Sequence, residues 1–256
     1  MLSTIPDLLH ELRSGQHSSS PRLTWYGPGG ERIELSGRVL DNWVAKTSNF
    51  LSEELDAERG TRIRLALPAH WKSAVVALAA WQVGAVLLEG EADAATDADI
   101  TFWGPGTDDG GTTGGEQVAV ALGALELAYP GQLPAGTYDY AALVRQFADS
   151  YEPFDPPEPS DAALGSGPRT LTQAALLEEF AVAAGAGERI LVSAREGLLG
   201  VLARLLGAWG AGGSAVLLHE EAEDSPRLRA AEKVTAGDGA ARNGSAGTGT
   251  APEERD

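Results

Sequence analysis

RIELSGRVLDNWVAKTSNFLSEELDAERGTRIRLALPAHWKSAVVALAAWQVGAVLLE, residues 32–89, is the stretch whose reading decides the fold class. Its apolar positions Val39, Leu40, Trp43, Val44, Thr47, Phe50 and Leu51 fall on one helical face, and Ser36 is a suitable N-cap for that helix. Past Gly60, Ile63, Leu65 and Leu67 alternate with Arg64 and Ala66, the pattern of a strand, which Pro68 ends. A second helix is predicted from His70 to Val83, with Gly84 as its left-handed stop. The apolar run Ala85-Val86-Leu87-Leu88 then fits a buried parallel strand.

The alternation of strand and helix continues outward. Ile100-Thr101-Phe102 and 117–122 read as strands, and 138–148 as a helix. The segment DSYEPFDPPEPSD within 149–169 carries four prolines and five acidic residues, so 149–169 reads as an extended, exposed linker. Beyond it Thr172 caps a helix to about Ala184, Arg189–Ser193 reads as a strand, Glu196–Trp209 as a helix and Ser214–Leu218 as a strand. From 222 to 256 almost nothing is apolar, and the reading is a disordered acidic tail that cannot offset its own ordering entropy. Strands separated by helices of a dozen residues make βαβ units. The expected class is therefore α/β, with mainly parallel sheets flanked by helices. The expected organisation is an α/β subdomain over 1–148, the linker 149–169, a second α/β segment over 170–221, and the tail.

Composition limits function without naming it. The 256 residues hold 19 basic and 37 acidic side chains, a net charge of −18. That balance argues against nucleic acid or an anionic membrane as partner, since phosphate contacts need clustered Lys and Arg. No apolar run reaches the roughly 18 residues of a membrane span. The first residues, MLSTIPDLLHELRSGQ, are amphipathic and lack a signal-peptide core, so a cytoplasmic location is expected. With no cysteine there is no disulfide, no thiolate nucleophile and no thiolate metal site. Only Lys46, Lys72 and Lys233 are available to lysine chemistry. Lys46 and Lys72 read as exposed helix positions and Lys233 as part of the tail.

Residues 32–89 resemble, in the order of their signals, the N-terminal part of AMP-forming adenylating enzymes: acyl-CoA synthetases, luciferases and peptide-synthetase adenylation domains. TLTQAALLEEF (170–180) is similar to that superfamily's helix after the phosphate loop, and ERILVS (188–193) to its next strand. LLGVLARLLGAWGAGGSAVLL (198–218) is similar to the following helix, glycine turn and strand. The resemblance implies the superfamily's fold over about residues 3–219. It also implies a phosphate loop rich in Ser, Thr and Gly ending in Pro-Lys, whose N–H groups and hydroxyls cradle pyrophosphate. At the matching positions the chain reads Asp161-Ala162-Ala163-Leu164-Gly165-Ser166-Gly167-Pro168-Arg169. One hydroxyl remains, Asp161 brings a like charge, and Arg169 stands where the lysine would be. Gly111-Thr112-Thr113-Gly114-Gly115 lies too early for that loop and reads as a surface loop. The superfamily's adenine pocket, ribose-binding Asp, Mg²⁺-binding Glu and catalytic C-terminal Lys would follow beyond these residues, and Lys233 is no replacement for that lysine.

Other constellations read as structural. His10, His17, His70 and His219 show no spacing of a zinc set and suit surface or capping roles. There is no GxSxG elbow and no GxxxxGK[ST] loop. The neighbouring acids Glu53-Glu54, Asp108-Asp109, Glu178-Glu179 and Glu220-Glu221 read as solvated surface. The six tryptophans, 25, 43, 71, 81, 103 and 209, read as core. The expectation is a non-catalytic, AMP-binding-enzyme-like protein that acts by binding or partner contact, with itself or another protein, and needs no cofactor or metal. One alternative completes an adenylation site in trans. There Ser166, Gly167, Arg169 and Thr172 would hold nucleotide, and ATP with Mg²⁺ would enter. Another alternative is an acidic interaction module that works through the tail.

Overall fold

Thr4 starts the first helix by accepting a hydrogen bond from the Asp7 amide while the Asp7 carboxylate accepts from the Thr4 amide, a reciprocal cap. The helix α1 (Ile5–Ser14) turns Ile5, Leu8, Leu9 and Leu12 into the core. In the computed structural model, which describes residues 2–15, 18–89, 98–106, 114–166, 169–181 and 185–235, a hairpin follows. Strand β1 (Pro21–Tyr26) reverses through Pro28-Gly29-Gly30 into β2 (Arg32–Ser36). Gly29 and Gly30 both have positive φ, 66° and 82°, so the turn uses a backbone region closed to most side chains.

The decisive stretch folds as its pattern predicts. Helix α2 (Gly37–Glu54) starts at Ser36, whose hydroxyl accepts from the Val39 amide. Strand β3 (Arg62–Ala66), helix α3 (Trp71–Gln82) and strand β4 (Val86–Glu89) form a βαβ unit, and α3 is buried along its whole length. Strands β5 (Ile100–Trp103), β6 (Glu116–Ala119) and β7 (Thr137–Asp139) lead to a short helix α4 (Tyr140–Leu143). After it come β8 (Ala162–Ser166), β9 (Arg169–Thr172), α5 (Gln173–Phe180), β10 (Arg189–Ser193), α6 (Gly197–Gly210), β11 (Ser214–Leu218) and α7 (Pro226–Ala231).

Two sheets result. The larger has the order β7-β6-β5-β3-β4-β8-β9 and is parallel except for β9. The smaller has the order β10-β11-β1-β2 and is parallel except for β2. One core cluster joins α1, α2, α3 and α6 to both sheets. A second, smaller one lies on the small sheet, where Leu228 and Val234 pack against Leu191, Val216 and Leu218.

Three expectations are corrected. Residues 149–169 are not a bare linker, because Ala162–Ser166 pairs with β4 and buries Ala163 and Leu164. The prolines of DSYEPFDPPEPSD end at Pro159, and Asp161 turns the chain by accepting from the Glu158 amide while it pairs with Arg59 at 2.7 Å. Strands from before and after this stretch share the small sheet, so no sheet boundary falls there. The second correction concerns 138–148, which begins as β7 in register with β6. The Asp139 carboxylate accepts from the Ala142 amide and delays the helix to Tyr140. Third, residues 222–235 of the expected disordered tail are ordered. Ser225 and Pro226 start α7, and Glu232 is buried against two arginines. Residues 236–256 of that expectation, and 182–184 of the expected helix to Ala184, lie outside the described residues.

Candidate functional site

Parallel strands of both sheets end at one cleft of about 600 Å³, lined by the loops that follow β1, β3, β6, β10 and β11. Ligands of open α/β sheets collect outside the carboxyl ends of the strands, where successive connections diverge. The walls are apolar: Pro28, Leu67, Pro68, Ala69, Leu122, Ala194 and Leu198. The polar lining is Trp25, Glu31, His70, His219 and Glu220, and Gly123 and Gly197 complete it.

The two histidines make the same local turn in different loops. His70 caps α3, its Nδ1 accepting from the Lys72 amide at 3.1 Å. His219, just past β11, accepts from the Glu221 amide at 3.2 Å through its own Nδ1. A ring nitrogen that accepts an N–H carries no proton, so these bonds place the proton of each ring on Nε2. Neither Nε2 has a hydrogen-bond partner among the described residues. Burial, helped by the charge of Lys72, pushes the His70 pKa down to about 3. Trp25 meets both rings edge-on, with centroid distances of 4.6 Å to His70 and 5.9 Å to His219.

Charged side chains pin the loop that forms the opposite wall. Glu31 accepts from Trp25 Nε1 at 2.8 Å and from the Ala124 amide at 2.9 Å. Glu126 accepts from the Gly123 amide. Lys72 donates to the carbonyls of Ala121 and Gly123 at 2.6 and 2.9 Å and lies over the Trp71 ring. The lysine is buried, contrary to the exposed position read from the sequence, because α3 has no solvent face. Burial pushes its pKa down to about 8. Lys46 is likewise half-buried and bonds the Phe147 carbonyl, and Lys233 follows α7 with a positive φ of 53°.

The residues singled out for nucleotide do not meet at this cleft. Ser166 ends β8, and Gly167 lies outside the described residues. Arg169, exposed at the start of β9, has its guanidinium on Glu179. Thr172 caps α5, its hydroxyl accepting from the Ala175 amide. Of the glycine-rich lookalike, 111–113 lie outside the described residues, as do Asp108-Asp109 and His17. The acidic pairs at 53–54, 178–179 and 220–221 are exposed. Five tryptophans are buried, and one of them, Trp25, also faces the cleft. Among the described residues no three His, Asp or Glu gather as a metal set, and no helix is long and apolar enough to cross a membrane.

No protein-family model matches the chain. It is 35% identical over 198 residues to a TIGR03089 family protein of Mycobacterium tuberculosis (strain ATCC 25618 / H37Rv), covering 72% of this chain and 79% of that protein. Among solved structures, an acyl-CoA synthetase of Brucella canis superposes with a TM-score of 0.70 at 16% identity over 91% of this chain. A fatty acyl CoA synthetase of Mycobacterium tuberculosis gives 0.62 at 13% over 89%, and the acetoacetyl-CoA synthetase of Streptomyces lividans 0.60 at 18% over 84%. The matches cover 46%, 47% and 38% of those three proteins, so the chain spans less than half the length of the synthetases it resembles. At such identities the similarity is one of fold.

Proposed function

The chain belongs to the TIGR03089 family, and from that premise we propose that it is a non-catalytic relative of the adenylating enzymes that binds a small molecule in the cleft at its strand ends. The lining carries this reading. It presents no hydroxyl, thiol, amine or guanidinium side chain. Its histidines hold their protons on Nε2 and so do not serve as bases there, and the Glu31 carboxylate is occupied by two N–H donors. What remains is an apolar cavity of ligand size with a few oriented polar groups, the composition of a binding site.

Completion of an adenylation site in trans would require Ser166, Gly167, Arg169 and Thr172 to receive phosphate. The bonds of Arg169 to Glu179 and of Thr172 to the Ala175 amide weigh against it. A thermal-shift panel separates the readings. Mg·ATP, AMP, coenzyme A and a non-hydrolysable acyl-adenylate are expected to leave Tm unchanged, with ATP–pyrophosphate exchange at background. The neutral fluorescent ketone prodan, at 100-fold over its Kd, is expected to add about 2.7 kcal/mol, on the order of 5–10 °C. Stabilisation by the adenylate or measurable exchange would restore the adenylation reading.

A further inference from the structure

The cleft has a charge pattern that selects within small molecules, and this step rests on the binding reading above. Its free side-chain donors are the Nε2–H groups of His70 and His219. The ionised groups in its lining are Glu31 and Glu220, and both are negative. The neighbouring cations are committed elsewhere. Lys72 bonds the carbonyls of Ala121 and Gly123 behind the wall, and Arg195 bonds the Glu220 carbonyl. A carboxylate or phosphate entering here would leave water, meet no cation in the lining, and face two carboxylates. An uncharged carbonyl oxygen asks only for one or two N–H donors, which the cleft holds ready.

We propose that the cleft selects an uncharged, apolar molecule bearing a carbonyl acceptor (an amide, ester or ketone) and rejects the corresponding acid. Trp25, fixed by its bond to Glu31 and by the edge contacts to both imidazoles, gives the apolar body a flat surface beside the donors.

Competition against bound prodan by a matched pair, naphthamide and naphthoate, tests this at pH 7.5. Naphthamide is expected to displace prodan at a concentration lower by about tenfold or more, because only the acid leaves a charge unpaired. Replacing His219 by Phe, at a half-exposed position where folding is not at stake, should cost naphthamide roughly three- to tenfold. His70→Gln retains both an acceptor for the Lys72 amide and a donor for the cleft, so it should keep the preference where His70→Phe loses it. Equal or tighter binding of naphthoate would overturn the proposal while leaving the cleft a binding site. Failure of prodan to bind at all would remove the binding reading itself, and with it this one.

Discussion

Glu232 and Lys72 are both nearly sealed from water, with 7% and 5% of their surface exposed, yet the fold surrounds them in opposite ways. Burial pushes the Glu232 carboxyl up in pKa, but hydrogen bonds from Arg32, Tyr26 and Arg189 outweigh it and hold the group at about 2. Those bonds measure 2.9, 2.6 and 2.7 Å. Lys72 has two carbonyl dipoles and an aromatic face around its ammonium, and no carboxylate in bonding range. Burial therefore dominates, and its pKa falls to about 8. Two guanidiniums and a phenol compensate a buried charge fully, whereas two carbonyls do so only in part. One charge fastens the segment after β11 to the small sheet, and the other holds the cleft wall at the edge of ionisation.

The contrast breaks most visibly at Glu232. Glu232→Gln leaves Arg189, itself largely buried, without its carboxylate, at a cost of roughly 3 kcal/mol. Thermal unfolding should show a loss of about 6–12 °C. The folded pKa lies below the ordinary 4.5, so the wild-type advantage is complete above that pH. It should shrink as pH falls from 4.5 towards 2, and a gap independent of pH would contradict the network. A subtler change is expected at Lys72. Its folded pKa of about 8 lies below the ordinary 10.5, so between those values the unfolded chain binds more protons and stability rises with pH. Relative to Lys72→Met, the wild type should gain about 2 kcal/mol between pH 8 and 10 in denaturant titrations. Parallel curves for the two proteins would mean that the ammonium is better solvated than its surroundings imply. The smallest effect belongs to Arg169, whose pair with Glu179 lies in solvent. Arg169→Ala should move Tm by no more than about 4 °C, as exposed pairs contribute under about 1 kcal/mol.

What the sequence made legible depended on how local the cause was. Helix α2, strand β3 and helix α3 follow from periodicities and caps contained in one window, Ser36 and Gly84 among them. The hairpin β1–β2 and the pair β8–β9 went unread, since β1 and β8 are each held on one side by a strand distant in sequence, β11 and β4. Lys72 looked like a solvated helix position because burial on every side of α3 is a tertiary fact. The cleft was missed for the same reason. The fold alone brings His70 and His219 to Trp25. A usable signal was nevertheless present, for both histidines come directly after strands read as parallel, at LALPAH and AVLLH. The rule for carboxyl ends of such strands would have marked them. The residues chosen instead, Arg169 and Thr172, carried a resemblance to a phosphate loop, and the fold places them away from the cleft, Arg169 on Glu179 and Thr172 as the cap of α5.

The hairpin strand β1 has a consequence in time. It lies between β2 and β11 in the small sheet, with Leu23 in register with Ala215 and Tyr26 with Leu218. The larger sheet draws all seven of its strands from residues 62–172 and is fully specified once that span has been synthesised. On a ribosome, β1 emerges early and waits with β2 as an isolated ribbon, which is marginal in water. Its parallel neighbour arrives only when Ser214–Leu218 leaves the exit tunnel. Of the two sheets, the small one and the cleft wall it contributes are therefore the later that translation can complete, and closing so distant a contact slows folding.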